Sequence, residues 1–152
     1  MIAVATPGGL VDVIGQSVTA DAWFPIDQAR IDAFADTTDD HQWIHVDPVK
    51  AAQGPFGATV AHGYLTLSLI PSLTDGLVEV GGTGLVVNYG LDKVRFLQPV
   101  TAGSRIRATS TVTSAEPTAQ GVRATFTVTV EIEGAAKPAL VADTVVLYFA
   151  AA

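Results

Sequence analysis

The chain contains no cysteine among its 152 residues. It can therefore form no disulfide, and it offers no thiolate for nucleophilic catalysis or for binding zinc or an iron–sulfur cluster. This absence is typical of cytoplasmic proteins, so we expect a cytoplasmic location. Disulfide-stabilised secreted domains and cysteine-based enzymes are excluded.

Positive charge is also scarce, with 8 Lys and Arg against 15 Asp and Glu and a net charge of -7. Nucleic acids and anionic membrane surfaces would repel such a protein, so we expect neither as a partner. The most apolar helical run, residues 64–73, is far shorter than the roughly 20 residues of a membrane span. The N-terminal segment lacks a basic region and an uninterrupted apolar core, so we expect no signal peptide.

Apolar residues make up 49% of the chain. This is enough for the core of one domain, and the length argues against two. We therefore predict a single domain over residues 1–152. Helical patterns dominate before residue 74, and alternation of apolar and polar residues dominates after residue 84.

Three helices are predicted in the first half. Residues 27–36 form an amphipathic helix with Asp27 as its N-cap, and a second helix starts at the pair Asp47 and Pro48 and stops at Gly54. Residues 61–73 are apolar nearly all round, which predicts a buried helix. Pro71 should kink this helix or end it.

Four strands are predicted in the second half, at residues 85–97, 105–113, 122–132 and 140–149, with a further candidate at 18–24. The connecting segments contain Pro and Gly, as hairpin turns do, so we expect a four-strand antiparallel meander. Gly90 interrupts the first strand and marks a bulge or a close approach. The predicted fold class is α+β, with an antiparallel sheet wrapped around the buried helix.

The segment TTDDHQWIHVDP, residues 37–48, concentrates the ionisable side chains. Its aspartates suit turns and helix caps, and that interpretation is sufficient for Asp47. A metal site could use His41 and His45 with Asp40 or Asp47, but the spacing matches no known zinc motif, so we predict none. Apolar neighbours predict that His45 is partly buried, and a buried imidazole needs a hydrogen-bonding partner. A carboxylate from Asp40 beside it would be suited to proton transfer.

Two further candidates lie at the start of the predicted buried helix, in the segment FGATVAHGYLT. The first N–H groups of a helix have no intrahelical partner, and Gly63 would let a substrate approach that backbone closely. Gly63 is therefore either a packing residue or an oxyanion site. His62 is either a second base or a residue that ties the helix to the loop.

The segments DDHQWIHVDPVKAAQGPFGATVAHGYLT and NYGLDKVRFLQPVTAGSRI resemble the MaoC-like, (R)-specific enoyl-CoA hydratase family over residues 27–110. The family motif is similar to Asp-x-Asn-Pro-aliphatic-His, which here runs from Asp40 to His45. The departures are Gln42 and Trp43 in place of Asn-Pro, and Asp39 where the family has Gly. Asp tolerates the left-handed backbone that such a Gly favours.

The resemblance implies a hotdog fold, an antiparallel sheet wrapped around one long central helix, and usually a homodimer with the cleft near the subunit interface. It implies Asp40 and His45 as the catalytic pair and the Gly63 amide as the thioester oxyanion donor. We expect substrate contacts from Gln42, Trp43, His62 and Tyr64, although Trp43 could equally fill a packing gap. We expect a CoA thioester as the substrate, and we expect no cofactor.

Together with the candidate residues, this resemblance implies (R)-specific hydration of a trans-2-enoyl-CoA to an (R)-3-hydroxyacyl-CoA. A hotdog acyl-CoA thioesterase and a subunit of a heteromeric acyl dehydratase are the alternatives. Because CoA is polyanionic and the chain is acidic, we also expect a local basic cluster to meet its phosphates. The candidate cations for that cluster are Lys93, Arg95, Arg105, Arg107 and Arg123.

Overall fold

A six-stranded antiparallel sheet dominates the structure, which is a computed structural model and describes residues 1–151. The strands are β1 (Ile2–Val4), β2 (Ser17–Thr19), β3 (Phe24–Pro25), β4 (Val78–Val80), β5 (Thr83–Phe96), β6 (Arg105–Thr118), β7 (Gly121–Ile132) and β8 (Leu140–Ala150). The helices are a 3-10 helix (Pro7–Val13), α1 (Gln28–Thr38), α2 (Trp43–Val46), α3 (Pro48–Ala51), α4 (Gly63–Ser68) and α5 (Ile70–Leu73). Strands β1 and β4 form a separate parallel pair.

The four long predicted strands are confirmed, but the predicted meander is wrong for β5. The strand order is β2-β6-β7-β8-β5, with β3 also pairing with β6. Strands β6 to β8 form the meander, and β5 pairs with β8. Because β2 and β3 occupy the other edge of β6, the free edge of β8 is the one that β5 can join.

The core lies between the inner face of this sheet and the helical segment α4–α5. Alternate residues of β6, β7 and β8 are buried, among them Ala108, Val128 and Ala142, and they share one hydrophobic cluster with Leu65 and Ile70 of the helices. Period-two alternation thus supplies one wall of the core and the apolar helix supplies the other. No helix within residues 1–151 is both long and apolar enough to cross a membrane.

The predicted buried helix is interrupted rather than continuous. Helix α4 ends at Ser68 and α5 begins at Ile70, with Leu69 between them still in a right-handed helical conformation. Pro71 has no N–H to donate to the preceding turn, which accounts for the break. Tyr64 and Ser68 are exposed, so the burial is not complete around the helix.

Strand β5 is irregular at three points, and the first shift in its pairing register lies between Thr83 and Leu85. The pairing register shifts between Asn88 and Gly90, and a Cβ added at Gly90 would meet no atom within 4 Å. Gly90 therefore marks a bulge and not a close approach. A third shift lies between Asp92 and Arg95, where Lys93 adopts a left-handed φ of 50°.

Candidate active site

Two helix caps fix the segment that contains the predicted catalytic pair. The Asp27 side chain accepts a hydrogen bond from the Arg30 N–H at 2.9 Å, and Asp47 accepts one from the Lys50 N–H at 3.0 Å, as predicted. Asp39 ends α1 in the left-handed region, with φ 58° and ψ 22°. That turn directs the chain away from α1 and into the loop, a conformation that Asp adopts more readily than most residues.

His45 lies on the short helix α2 and is 7% exposed. Its Nδ1 atom is 2.6 Å from the carbonyl oxygen of Val60. Because a carbonyl can only accept, Nδ1 donates, and in the neutral ring the lone pair is left on Nε2. Burial lowers the pKa of His45 below its usual value of 6.5, and the neighbouring His62 lowers it further.

A side-chain network ties α1 to the same loop. Gln28 Nε2 donates to the His45 carbonyl at 2.7 Å and to the Asp32 carboxylate at 2.8 Å. The Gln28 carbonyl oxygen accepts a hydrogen bond from the buried Thr59 hydroxyl. The amide of Gln28 therefore joins α1, the loop and the segment before α4.

Asp40, His45 and His62 converge as three ionisable side chains. One ligand atom from each lies within 4.8 Å of the other two. The His45 and His62 rings are stacked, with centroids 3.8 Å apart and an angle of 22° between their planes. Imidazole lone pairs lie in the ring plane, so two nearly parallel stacked rings do not direct them at a common ion. This geometry suits proton transfer better than metal coordination.

A cavity of about 310 Å³ opens beside this group. His45 and Gly63 both line it, together with Phe96. Gly63 is the first residue of α4, so its N–H has no partner within that helix. A Cβ added at Gly63 would lie 3.1 Å from the Phe96 ring, and a side chain there would compete with Phe96 for space.

A second cavity, of about 520 Å³, lies between the helices and the inner faces of β5 and β8. Leu67, Ile70 and Pro71 line its helical side. Its other lining residues are both apolar and polar, and hydroxyl groups come from Ser68, Thr74, Ser110, Thr144 and Tyr148. Burial raises the pKa of Tyr148 to about 12, so that hydroxyl stays protonated.

The remaining predicted substrate contacts are spread around the site. Gln42 is exposed and forms the N-cap of α2. Trp43 packs closely on Gly54, and its ring centroid lies 4.7 Å from the Lys50 ammonium. Because Trp43 lines neither cavity, its interpretation as a packing residue is favoured. Tyr64 is 68% exposed and meets Phe96 edge-on.

The five candidate cations do not form one cluster. Arg105 and Arg107 lie on β6, which β7 and β8 separate from β5 in the sheet, and they pair with Glu133 and Glu131. The other three have separate contacts: Lys93 lies 3.3 Å from Asp143, Arg123 lies over the Tyr89 ring, and Arg95 donates to the neighbouring Val94 carbonyl. Within residues 1–151, Arg95 is the candidate that neither pairs with a carboxylate nor stacks on a ring.

A protein-family model described as the MaoC-like domain matches residues 10–134 of the chain. The chain belongs to the MaoC-like family. It is 51% identical to 3-hydroxyacyl-thioester dehydratase Z of Mycobacterium tuberculosis. The aligned 142 residues cover 93% of this chain and 94% of that protein. It is 45% identical to nodulation protein N of Rhizobium leguminosarum, over 86% and 83% of the two chains.

Solved structures agree with this membership. The (R)-hydratase from A. caviae involved in PHA biosynthesis superposes with a TM-score of 0.72 and 27% identity, over 88% of this chain and 94% of that one. The predicted hotdog fold and α+β class are thereby confirmed. The chain is an enzyme of the hydro-lyase class, which adds water to a double bond or removes it.

Sequence reasoning named Asp40, His45, His62 and Gly63 but missed Gln28. Its position in the first turn of an amphipathic helix gives no chemical signal, because Gln is common on exposed helix faces. The Val60 carbonyl was also missed, since a main-chain acceptor has no residue signature. The contacts of Gln28 and of the Val60 carbonyl form only because the fold brings the loop and the segment before α4 together.

Proposed function

We propose that the protein hydrates a trans-2-enoyl-CoA to an (R)-3-hydroxyacyl-CoA and catalyses the reverse dehydration. The observation that favours this reaction most is the proximity of Asp40 and His45 beside a cavity that His45 and Gly63 both line. An acid–base pair and a free N–H donor are the groups that this chemistry requires. The roles of the three residues are part of the proposal.

In the proposed reaction, Asp40 and His45 bind a water molecule together. The water oxygen bonds to the β-carbon of the enoyl group, one water proton passes to the pair, and a proton is delivered to the α-carbon. His45 accepts at Nε2, because its Nδ1–H is committed to Val60. Negative charge that develops on the thioester oxygen is stabilised by the Gly63 N–H.

We assign the acyl chain to the second cavity. Leu67 is the first residue of α4 that lines that cavity, and from Gly63 to Leu67 the helical axis advances by roughly 6 Å at about 1.5 Å per residue. A chain bound with its carbonyl at Gly63 therefore reaches the cavity only beyond a few carbons. The cavity volume of about 520 Å³ falls in the range of small-molecule sites, about 300–1,000 Å³. Acyl chains longer than crotonyl should therefore be preferred.

We also propose a homodimer formed through β5. Every residue of this strand except Thr83 and Val94 is exposed, including Leu85, Tyr89 and Leu91. Long exposed apolar edge strands are usually covered by another chain. Since Leu91 also lines the second cavity, a partner on β5 would close one of its walls.

The test is turnover of crotonyl-CoA and of longer trans-2-enoyl-CoAs, followed by chiral analysis of the product. We expect (R)-3-hydroxyacyl-CoA, with a higher kcat/KM for the longer chains. An (S) product, or no hydration of any chain length, would overturn the proposal. Release of free CoA thiol would instead identify the thioesterase, and activity that appears only with a second, different chain would identify a heteromeric dehydratase subunit.

A further inference from the structure

His62 is a buried histidine that touches both members of the proposed catalytic pair. It is 3% exposed and immediately precedes Gly63 at the start of α4. Its Nε2 lies 2.9 Å from the main-chain carbonyl of Asp40, and its ring stacks on His45. Phe34 packs against the same ring, with centroids 5.0 Å apart. Neither cavity is lined by His62, so its contacts are with the catalytic side chains and not with a substrate space.

The hydrogen-bond partners of His62 fix its tautomer. The Asp40 carbonyl can only accept, so Nε2 bears the hydrogen and Nδ1 bears a lone pair in the neutral ring. Nδ1 is buried and has no hydrogen-bond partner within residues 1–151. A ring with one nitrogen committed to the main chain and the other enclosed has no free atom for exchanging protons with a substrate.

We propose that His62 is a positioning residue that sets the geometry of Asp40 and His45 for proton transfer. Its hydrogen bond fixes the Asp40 main chain, with the Asp40 carboxylate 4.0 Å from the same nitrogen, and its stacked ring fixes the plane of His45. This inference rests on the proposed function, because it assumes that the pair performs the chemistry. It predicts effects on turnover that a role in packing alone does not.

The stacking also affects the charge of His45. Two imidazolium rings at 3.8 Å would repel each other, so a charged state of one ring disfavours that of the other. Burial has the largest effect on the pKa of His45 and lowers it. Of the groups that face His45, the Val60 carbonyl and Asp40 raise this pKa, and His62 lowers it. Removing His62 should therefore raise the pKa of His45.

Two substitutions separate positioning from packing. His62→Gln places an amide N–H near the original Nε2 and keeps a donor for the Asp40 carbonyl, whereas His62→Phe keeps a flat ring over His45 and loses the donor. We expect His62→Phe to lower kcat by between about 10-fold and 10²-fold, the cost of misplaced catalytic groups, with a smaller change in KM. His62→Gln should recover part of that loss although it is the less stable variant.

A packing role predicts the opposite order, because Phe replaces buried ring volume better than Gln does. If His62→Phe were both the more stable and the more active variant, the positioning role would be wrong. His41→Gln is the matched control, since His41 is an exposed histidine that pairs with Asp36. It should leave turnover unchanged.

A readout independent of activity is the NMR titration of the His45 imidazole, which is tractable because the chain has 3 histidines. We expect the pKa of His45 to rise in both His62 variants and to stay unchanged in His41→Gln. An unchanged pKa in both His62 variants would contradict the coupling. If the wild type hydrated no enoyl thioester while the shift appeared, the proposed function would fail and the positioning contacts would stand. Normal turnover in His62→Phe would refute the positioning role alone.

Discussion

The loop that contains Asp40 and His45 finds its hydrogen-bond partners within one chain, whereas the apolar side chains of the edge strand β5 are left uncovered by it. In the loop, His45 is bonded to Val60, His62 to Asp40, and Gln28 to the His45 carbonyl. Within residues 1–151, strand β5 pairs with β8 on one side only and exposes apolar side chains along its length. The proposed proton-transfer group is thus assembled within a single chain, whereas the proposed β5 dimer would supply the missing wall of the substrate cavity.

Physical chemistry explains the contrast. A buried polar group that loses its partner costs about 1–3 kcal/mol, so each polar atom of the loop needs a specific neighbour. An apolar strand needs only to be shielded from water, and the hydrophobic effect that stabilises such burial is non-directional. Single substitutions should therefore affect turnover in the loop and assembly in β5.

The largest effect is expected at the catalytic pair. Asp40→Asn and His45→Gln should each lower kcat by about 10²-fold or more, because general acid–base groups contribute about 10² to 10⁴. The KM should change much less, since neither side chain is assigned to bind CoA. Because the two residues act as a unit, the double variant should be hardly slower than the poorer single one.

Melting temperature measured on the same preparations distinguishes a catalytic role from a structural one. If Asp40 only shaped a turn and His45 only filled the core, both variants would lose about 1 kcal/mol or more of stability and keep normal turnover per folded molecule. Unstable variants with normal turnover would therefore contradict the assignment.

The pH dependence tests the same region. The pKa of His45 is lowered from 6.5, so His45 is neutral at neutral pH and becomes protonated as the pH falls through that lowered value. We expect kcat/KM to fall about tenfold per pH unit below it, as for loss of one general base. An acidic limb whose midpoint lies above 6.5 would contradict the role of His45 as base.

Stability should follow the same titration. The unfolded chain protonates His45 near 6.5 and the folded chain only at lower pH, so the unfolded state binds more protons between these values and stability falls as the pH drops below about 6.5. His45→Gln should reduce this loss. The pKa of the exposed His41 is raised by its hydrogen bond to Asp36, so its small contribution has the opposite sign and is lost as the pH rises through the raised value.

The sequence predicted the loop better than the strand pairing, for physical reasons. Local rules identified the caps Asp27 and Asp47, and the motif from Asp40 to His45 placed two ionisable groups on one short segment. The alternation of apolar and polar residues located the strands but not their order, because the residue pattern of β5 does not determine whether this strand pairs with β6 or with β8. For His62 the sequence offered a link between helix and loop as one of two roles, but it did not identify the Asp40 carbonyl as the partner. The partners of Gln28 depend on long-range contacts and were beyond local rules.

At the sheet edge, a charge on β5 should change assembly and not the fold. Leu85→Lys puts an ammonium on the exposed edge, where charge opposes strand pairing, so we expect a shift from dimer to monomer in analytical ultracentrifugation. Val49→Lys is the matched control, since Val49 is 78% exposed on α3 and lies outside β5. A wild-type monomer with full activity, or equal effects of the two substitutions, would refute the β5 dimer.

A smaller effect on turnover is expected from the network around Gln28. Gln28→Glu replaces the donor Nε2 by an oxygen, which removes the bond to the His45 carbonyl and repels Asp32. We expect kcat to fall by roughly tenfold or less, within the range attributed to misplaced groups. Gln16→Glu adds the same charge at an exposed position and should leave kcat unchanged. Equal kcat values for the two variants would show that Gln28 does not position His45.

The smallest effect is expected at Arg95, the cation of β5 without a carboxylate partner. Since Phe96 lines the cavity of about 310 Å³, the adjacent Arg95 is the candidate cation nearest to that cavity along the chain. Exposed ion pairs contribute about 0.2–1 kcal/mol, so Arg95→Glu should raise the KM for enoyl-CoA by roughly 1.4-fold to 5-fold and leave kcat unchanged.

Two comparisons decide whether that change reports a phosphate contact. Arg105→Glu alters the net charge equally at a residue already paired with Glu133, and it should raise the KM less. The second comparison uses an enoyl thioester of N-acetylcysteamine, which has no phosphate, so Arg95→Glu should then have no effect. A KM raised equally for both thioesters would assign Arg95 to the shape of the cavity mouth, and an unchanged KM for enoyl-CoA would exclude it from binding.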